Sequence, residues 1–183
     1  MLWFDALEFR SVYVKILTTR ILLFVIGALV LVVPFGVSIY IAGRLSKGTV
    51  TLPLPAEALG FLKKAVLWGS VAVVLAVSIV FGYVLATHWE LMLRFANSVP
   101  FNAVDPVFDK DLSFFMFKLP AYTFLQGWAL GAAIVTLVGT LALYYVNFNL
   151  RGVPLELTQG LKVHISIIGA IIMFIMGWGH WLD

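Results

Sequence analysis

Asp105, Asp109 and Asp111 fall within seven residues of one another. Three carboxylates that close can hold Ca²⁺ together with carbonyl and water oxygens. The spacing is not that of an EF-hand loop, Pro106 restricts the backbone, and Lys110 sits among the acids and partly neutralises them. Charge runs on loops ordinarily face water, so a solvated turn is the preferred reading and a cation site the lesser one. His88, His164 and His180 lie near the ends of long apolar stretches. A neutral imidazole can ligate haem iron or the magnesium of a chlorophyll-type ring. In the run Gly177-Trp178-Gly179-His180-Trp181 the glycines leave room for a flat macrocycle and the tryptophans can stack on it. His180, with His88 expected on the same membrane side, is therefore the candidate tetrapyrrole ligand. The plainer reading, a histidine tip among interfacial tryptophans, is preferred because neither residue has an evident partner. No nucleophile–base pair, phosphate loop or metalloprotease motif is visible. The chain contains no cysteine, which excludes disulfides and thiolate chemistry. The expectation is a protein that is not an enzyme and holds no cofactor, with haem or pigment as the alternative.

The elements that would position these residues are membrane helices. Four stretches carry no charge at all: residues 21–43, 65–89, 119–150 and 163–182. About 20 apolar residues cross the hydrocarbon core of a bilayer as a helix. With 62% hydrophobic residues and a mean hydropathy of +1.05, the chain is predicted to be an all-α, polytopic helical membrane protein. Nothing alternates with the period of two that a barrel strand requires. The predicted organisation is a single membrane domain over 1–183, with spans at about 21–43, 65–89, 121–149 and 163–182. Two interfacial amphipathic segments are predicted at about 2–18 and 90–120, where aromatics alternate with charges. Within the second, Asp105-Pro106 reads as a turn and SFFMF as a short extended piece.

Pro34 interrupts the first span. With no polar cluster evident beside it, a simple kink is preferred over a broken substrate-binding helix. The third window carries Gly127-x-x-x-Gly131, continued by Ala132, Thr136 and Thr140, a small-residue stripe that suits close helix packing within the chain or towards a partner. Lys/Arg counts on the two sides tie, so the positive-inside rule alone gives no orientation. The density of Arg44, Lys47, Lys63 and Lys64 in one compact connection favours the cytoplasm for that loop. Basic residues are not clustered on one face, which argues against nucleic-acid binding. No acid or base other than the histidines lies inside a window, which argues against a self-contained pump or ion-coupled transporter.

Three stretches carry a family resemblance: LWFDALEFRSVYVKIL, the run from Asn97 to Pro120, and GHWLD. The middle one has the pattern DP-x-F-x-x-D-x-SF-x-x-F-x-LP, here Asp105, Pro106, Phe108, Asp111, Ser113, Phe114, Phe117, Leu119 and Pro120. Together they resemble the large bacterial membrane proteins of uncharacterised protein family 0182. The resemblance implies further spans and a large extracytoplasmic domain beyond this region, a span before the WFD segment, and residues 97–120 on the outer side. It makes this chain a partial or shortened member and implies a bacterial plasma membrane location. It implies no activity.

The function expected is a structural or accessory membrane subunit, or the membrane anchor of a longer envelope protein. Its partners would be the lipid bilayer and other membrane subunits. The alternatives are a pigment- or haem-binding subunit and a channel or transporter component.

Overall fold

In the computed structural model, described for residues 10–45, 55–150 and 159–182, each of the long uncharged runs is helical over nearly all its length. Inside a bilayer no water is present to satisfy exposed backbone groups, and a helix bonds them internally. The elements are α1 (Arg10–Leu45), α2 (Ala56–Thr87), the short α3 (Trp89–Ala96), α4 (Leu119–Asn149) and α5 (Gln159–Leu182). The four long ones are long and apolar enough to cross a membrane. This is a polytopic helical membrane protein, and among the described residues the only β pairing is an isolated antiparallel bridge between Val104 and Asp111.

The predicted spans sit within these helices, with two differences. The second window overruns the break at His88, where α2 ends after Thr87 and α3 begins at Trp89. Residues 10–18, expected in a separate interfacial segment, form the first turns of α1, and residues 2–9 of that segment lie outside the described residues. Helix α1 has 36 residues, roughly 54 Å at 1.5 Å per residue, so it outruns the hydrocarbon core. The guanidinium of Arg20 lies 5.0 Å from the ring centre of Trp89, a cation–π contact that ties this end of α1 to α3.

Phe114–Lys118, read from sequence as part of an extended piece, is instead one wide π-helical turn leading into α4. Pro120 supplies the reason: in a helix its ring would press on the carbonyl of residue i−4, and a widened turn relieves that contact. Accordingly the Leu119 N–H reaches back five residues to the Phe114 carbonyl.

Helix α1 packs most extensively on α2 and also on α4, and α5 packs on α4, so the lateral order is α2, α1, α4, α5. The main core is Leu31 and Phe35 of α1, Val74 of α2 and Ala132 of α4. A smaller one joins Tyr144 of α4 to Leu161 of α5. Lipid tails are as apolar as leucine, so association depends on close packing rather than on the hydrophobic effect. The closest approach is at Gly27 and Gly82: a Cβ on Gly27 would lie 2.9 Å from the Gly82 Cα, and one on Gly82 2.7 Å from the Phe24 carbonyl oxygen. Gly139 of α4 receives the Phe35 ring. The Trp128 indole N–H donates across to the Phe81 carbonyl of α2 at 3.2 Å.

Candidate functional site

Pro34 does have a polar cluster beside it, which corrects the sequence-based expectation. Helix α1 continues through the proline, and one turn later the Ser38 hydroxyl donates to the Pro34 carbonyl at 2.8 Å. The same oxygen lies 3.1 Å from Thr140 Oγ1 of α4 and 3.3 Å from His164 Nε2 of α5. His164 Nδ1 faces the Tyr144 hydroxyl at 3.4 Å. All four side chains are buried. Three helices thus contribute to one hydrogen-bonded set inside the apolar region.

Donor counting assigns the protons. A serine hydroxyl has one hydrogen, and that of Ser38 is on the Pro34 carbonyl, so its oxygen accepts from Thr140 and from His164. Nε2 of His164 therefore carries the ring hydrogen, and Nδ1 accepts from Tyr144. The chain of donors runs Tyr144 to His164 to Ser38 to Pro34 and closes on the backbone.

The Ser38–His164 spacing is also that of a nucleophile and its base. Ser38, however, is only 1% exposed and its own hydrogen points to a main-chain carbonyl, so no acyl group reaches it. The arrangement locks α1, α4 and α5 to one another. On one flank His164 borders a shallow apolar groove with Ile41, Gln159, Gly160, Val163 and Ile167.

His88 and His180 are exposed and have separate surroundings. The His88 ring stacks on Phe124 at 4.0 Å, with Nδ1 2.9 Å from the Val84 carbonyl. His180 lines a groove with Thr123, Gln126 and Met176. The room expected around it is partly taken: the Gln126 side chain packs over Gly179 and donates to the Ile175 carbonyl, whereas Gly177 is open.

Two of the three aspartates are turned onto their own backbone. Asp105 Oδ1 accepts from the N–H groups of Val107 and Phe108 at 2.8 and 2.9 Å. Asp111 Oδ1 accepts from those of Ser113 at 2.8 Å and Phe101 at 3.1 Å. Main-chain bonds from Asp105 N–H to the Lys110 carbonyl and from Leu112 N–H to the Ala103 carbonyl close a hairpin. Asn102 and Asp109 take positive φ at its bends (56° and 53°), a conformation that Asn and Asp tolerate best among residues with a Cβ. Among the described residues, no three His, Asp or Glu side chains converge as a metal site would require.

Hydrogen bonds, above all from the Ser113 side chain and then from backbone N–H groups, lower the Asp111 pKa from 3.8 to about 2. A depressed carboxylate pKa contributes stability that is present above the unfolded value and lost as pH falls through the folded one. The hairpin is therefore expected to hold from neutral pH to about 4 and to loosen between pH 4 and 2. Asp111→Asn should remove that acid transition; amide exchange at Phe101 and Ser113, followed against pH, checks it. A transition unchanged in the variant would contradict the assignment.

The model of UPF0182, described as an uncharacterised protein family, matches residues 1–183. The chain belongs to UPF0182. A UPF0182 protein of Synechococcus sp. (strain JA-2-3B'a(2-13)) is 35% identical over 121 residues, 65% of this chain and 14% of its own length. One of Streptomyces coelicolor is 26% identical over 188 residues, and one of Salinispora arenicola 30% over 190; each covers 100% of this chain and 19% of its own length. The chain thus spans less than a fifth of the length of these curated relatives. No solved structure matches it.

In this UPF0182 chain the sequence reading placed the packing stripe in part on another face. Ala132, Thr136, Thr140 and Tyr144, spaced by four, are all buried. Gly131 has only the Phe81 ring at 3.8 Å from where its Cβ would lie, and Gly127 is exposed with nothing within 4 Å. The face bearing Gly127 is open to lipid or to another helix. The sequence marks His164 only as a histidine near the end of an apolar stretch, and it brings neither Ser38 nor Tyr144 to it. The available signal was a serine one turn after Pro34, and a tyrosine continuing the four-residue spacing into the region opposite His164.

Proposed function

We propose that this UPF0182 chain is a structural membrane element, the anchor or docking portion of a longer envelope protein in the bacterial plasma membrane, with no chemistry of its own. The observation that carries the reading is the closed cluster of Ser38, Thr140, Tyr144 and His164. Intramembrane ionisable groups ordinarily mark a pathway or a ligand, and here the imidazole is spent on holding three helices together. The small share of each relative that the chain covers, 14–19%, supports placing the rest of the function in other parts of the protein.

The purified chain is expected to show no visible absorption band of a bound haem or chlorophyll-type pigment, and liposomes containing it should pass no more ions than empty ones. Visible absorbance that disappears in His180→Ala would replace this reading with pigment or haem binding. Flux that depends on His164 would replace it with a channel role.

A further inference from the structure

The hairpin between α3 and α4 presents its apolar side chains outward. Val107 at its apex is 78% exposed, Phe108 64%, Val104 58%, and Met116 of the following turn 64%. Apolar groups grouped on an extramembrane loop need a covering. Four of the loop's backbone N–H groups are taken up by the Asp105 and Asp111 carboxylates and others by main-chain bonds within the loop, and Pro100 and Pro106 have none to offer. Each backbone donor already bonded within the loop is one that need not be stripped of water if the loop enters a low-dielectric layer.

The hairpin is also fixed at bilayer level on both sides. It follows α3, whose Glu90–Arg94 ion pair is exposed while Leu91, Met92 and Phe95 are half-buried, and it leads directly into the membrane-crossing α4. Lys110 and Lys118, both exposed, can reach headgroup phosphates, and Asp109, exposed beside Lys110, keeps the bend next to the apex at the wet side of that layer.

We infer that residues 99–116 form a hairpin that dips its Val107–Phe108 apex into the boundary between headgroups and acyl chains of the bilayer crossed by α1, α2, α4 and α5. The occupant of this apolar surface is lipid. The inference rests on the reading of the long helices as spans, and the test separates the two.

The chain has no cysteine, so a single introduced thiol reports one position. Val107→Cys, Phe174→Cys on the exposed face of α5 and Glu57→Cys at the exposed start of α2 are each labelled with bimane. Each is then placed in phosphatidylcholine/phosphatidylglycerol vesicles. The label at 107 should be quenched by a nitroxide at a shallow lipid position and should be about three-fold less sensitive to aqueous iodide than the label at 57, as for side chains seated at the interface. The label at 174 should be quenched by a deep nitroxide. Full iodide quenching at 107 overturns the inference, and so does protection from both quenchers, which means that a second copy or another protein covers the loop. Loss of lipid quenching at 174 overturns the membrane reading itself.

Discussion

Gly82→Ala is expected to be among the most damaging single-methyl additions in this protein. The added Cβ would lie 2.7 Å from the Phe24 carbonyl oxygen and close to the Ala28 backbone nitrogen. Both are main-chain atoms of α1, so no rotamer change relieves the contact, and the two helices must separate along their most extensive interface. Overpacking of a well-packed core costs about 1–3 kcal/mol. The facing change, Gly27→Ala, should act similarly, because its Cβ would lie 2.9 Å from the Gly82 Cα. Gly36→Ala on the same helix is the control: nothing lies within 4 Å, and Ala is favoured over Gly in a helix by roughly 0.5–1 kcal/mol. Unfolding of the three variants in mixed micelles at increasing SDS fraction should move Gly82→Ala and Gly27→Ala to lower SDS and leave Gly36→Ala unchanged or slightly higher. Equal shifts at positions 36 and 82 would show that the crossing is not where α1 and α2 meet.

His164→Leu is the second large effect. It deletes the acceptor of the Tyr144 hydroxyl and one donor to Ser38, two bonds that link α5 to α4 and α1. Interhelical hydrogen bonds in membranes average about 0.6 kcal/mol and reach about 1.7. The stranded Tyr144 hydroxyl adds a desolvation penalty of about 1–3 kcal/mol. A total of about 2–4 kcal/mol is expected from the two lost bonds and the penalty together. Tyr144→Phe removes the stranded group, so the double variant His164→Leu/Tyr144→Phe should be less destabilised than the sum of the single ones. A coupling of about 0.5–1.5 kcal/mol in that cycle is the signature of a direct bond. Additive losses would mean that His164 and Tyr144 do not act on one another.

The resemblance that placed the chain in a family was carried by a pattern around Asp105 and Asp111, and the structure gives part of that pattern a physical role. Each carboxylate takes two backbone N–H groups, which fold the hairpin and start the turn into α4. Read as a sequence, three acids within seven residues suit a solvated turn first and a cation site second; seen in the fold, two of them replace missing main-chain partners. Sequence could favour the turn but not show which backbone groups the acids take, because that depends on the chain bending back at Asn102 and Asp109.

What the sequence determined by itself is the class of molecule, an all-α chain with four helices long and apolar enough to cross a membrane. Hydrophobicity and charge are properties of single residues that accumulate along the chain. A run of twenty without charge therefore marks a span whatever its neighbours are. Tertiary structure decided everything that depends on two helices meeting. Gly27 and Gly82 are 55 positions apart, and Ser38 and His164 are 126 apart. Nothing local marks Gly27 and Gly82 as a pair, and Pro34 one turn before Ser38 gives no sign of His164, since a glycine or a serine in an apolar helix reads the same on a lipid face as on a packed one. The sequence reading accordingly favoured Gly127 and Gly131, which share a visible motif, over Gly27 and Gly82, which share a contact. The physical reason is that lipid and helix interior are almost equally apolar. Composition can bring a helix into the membrane, and only the fit of side chains in three dimensions selects which face of it finds a partner.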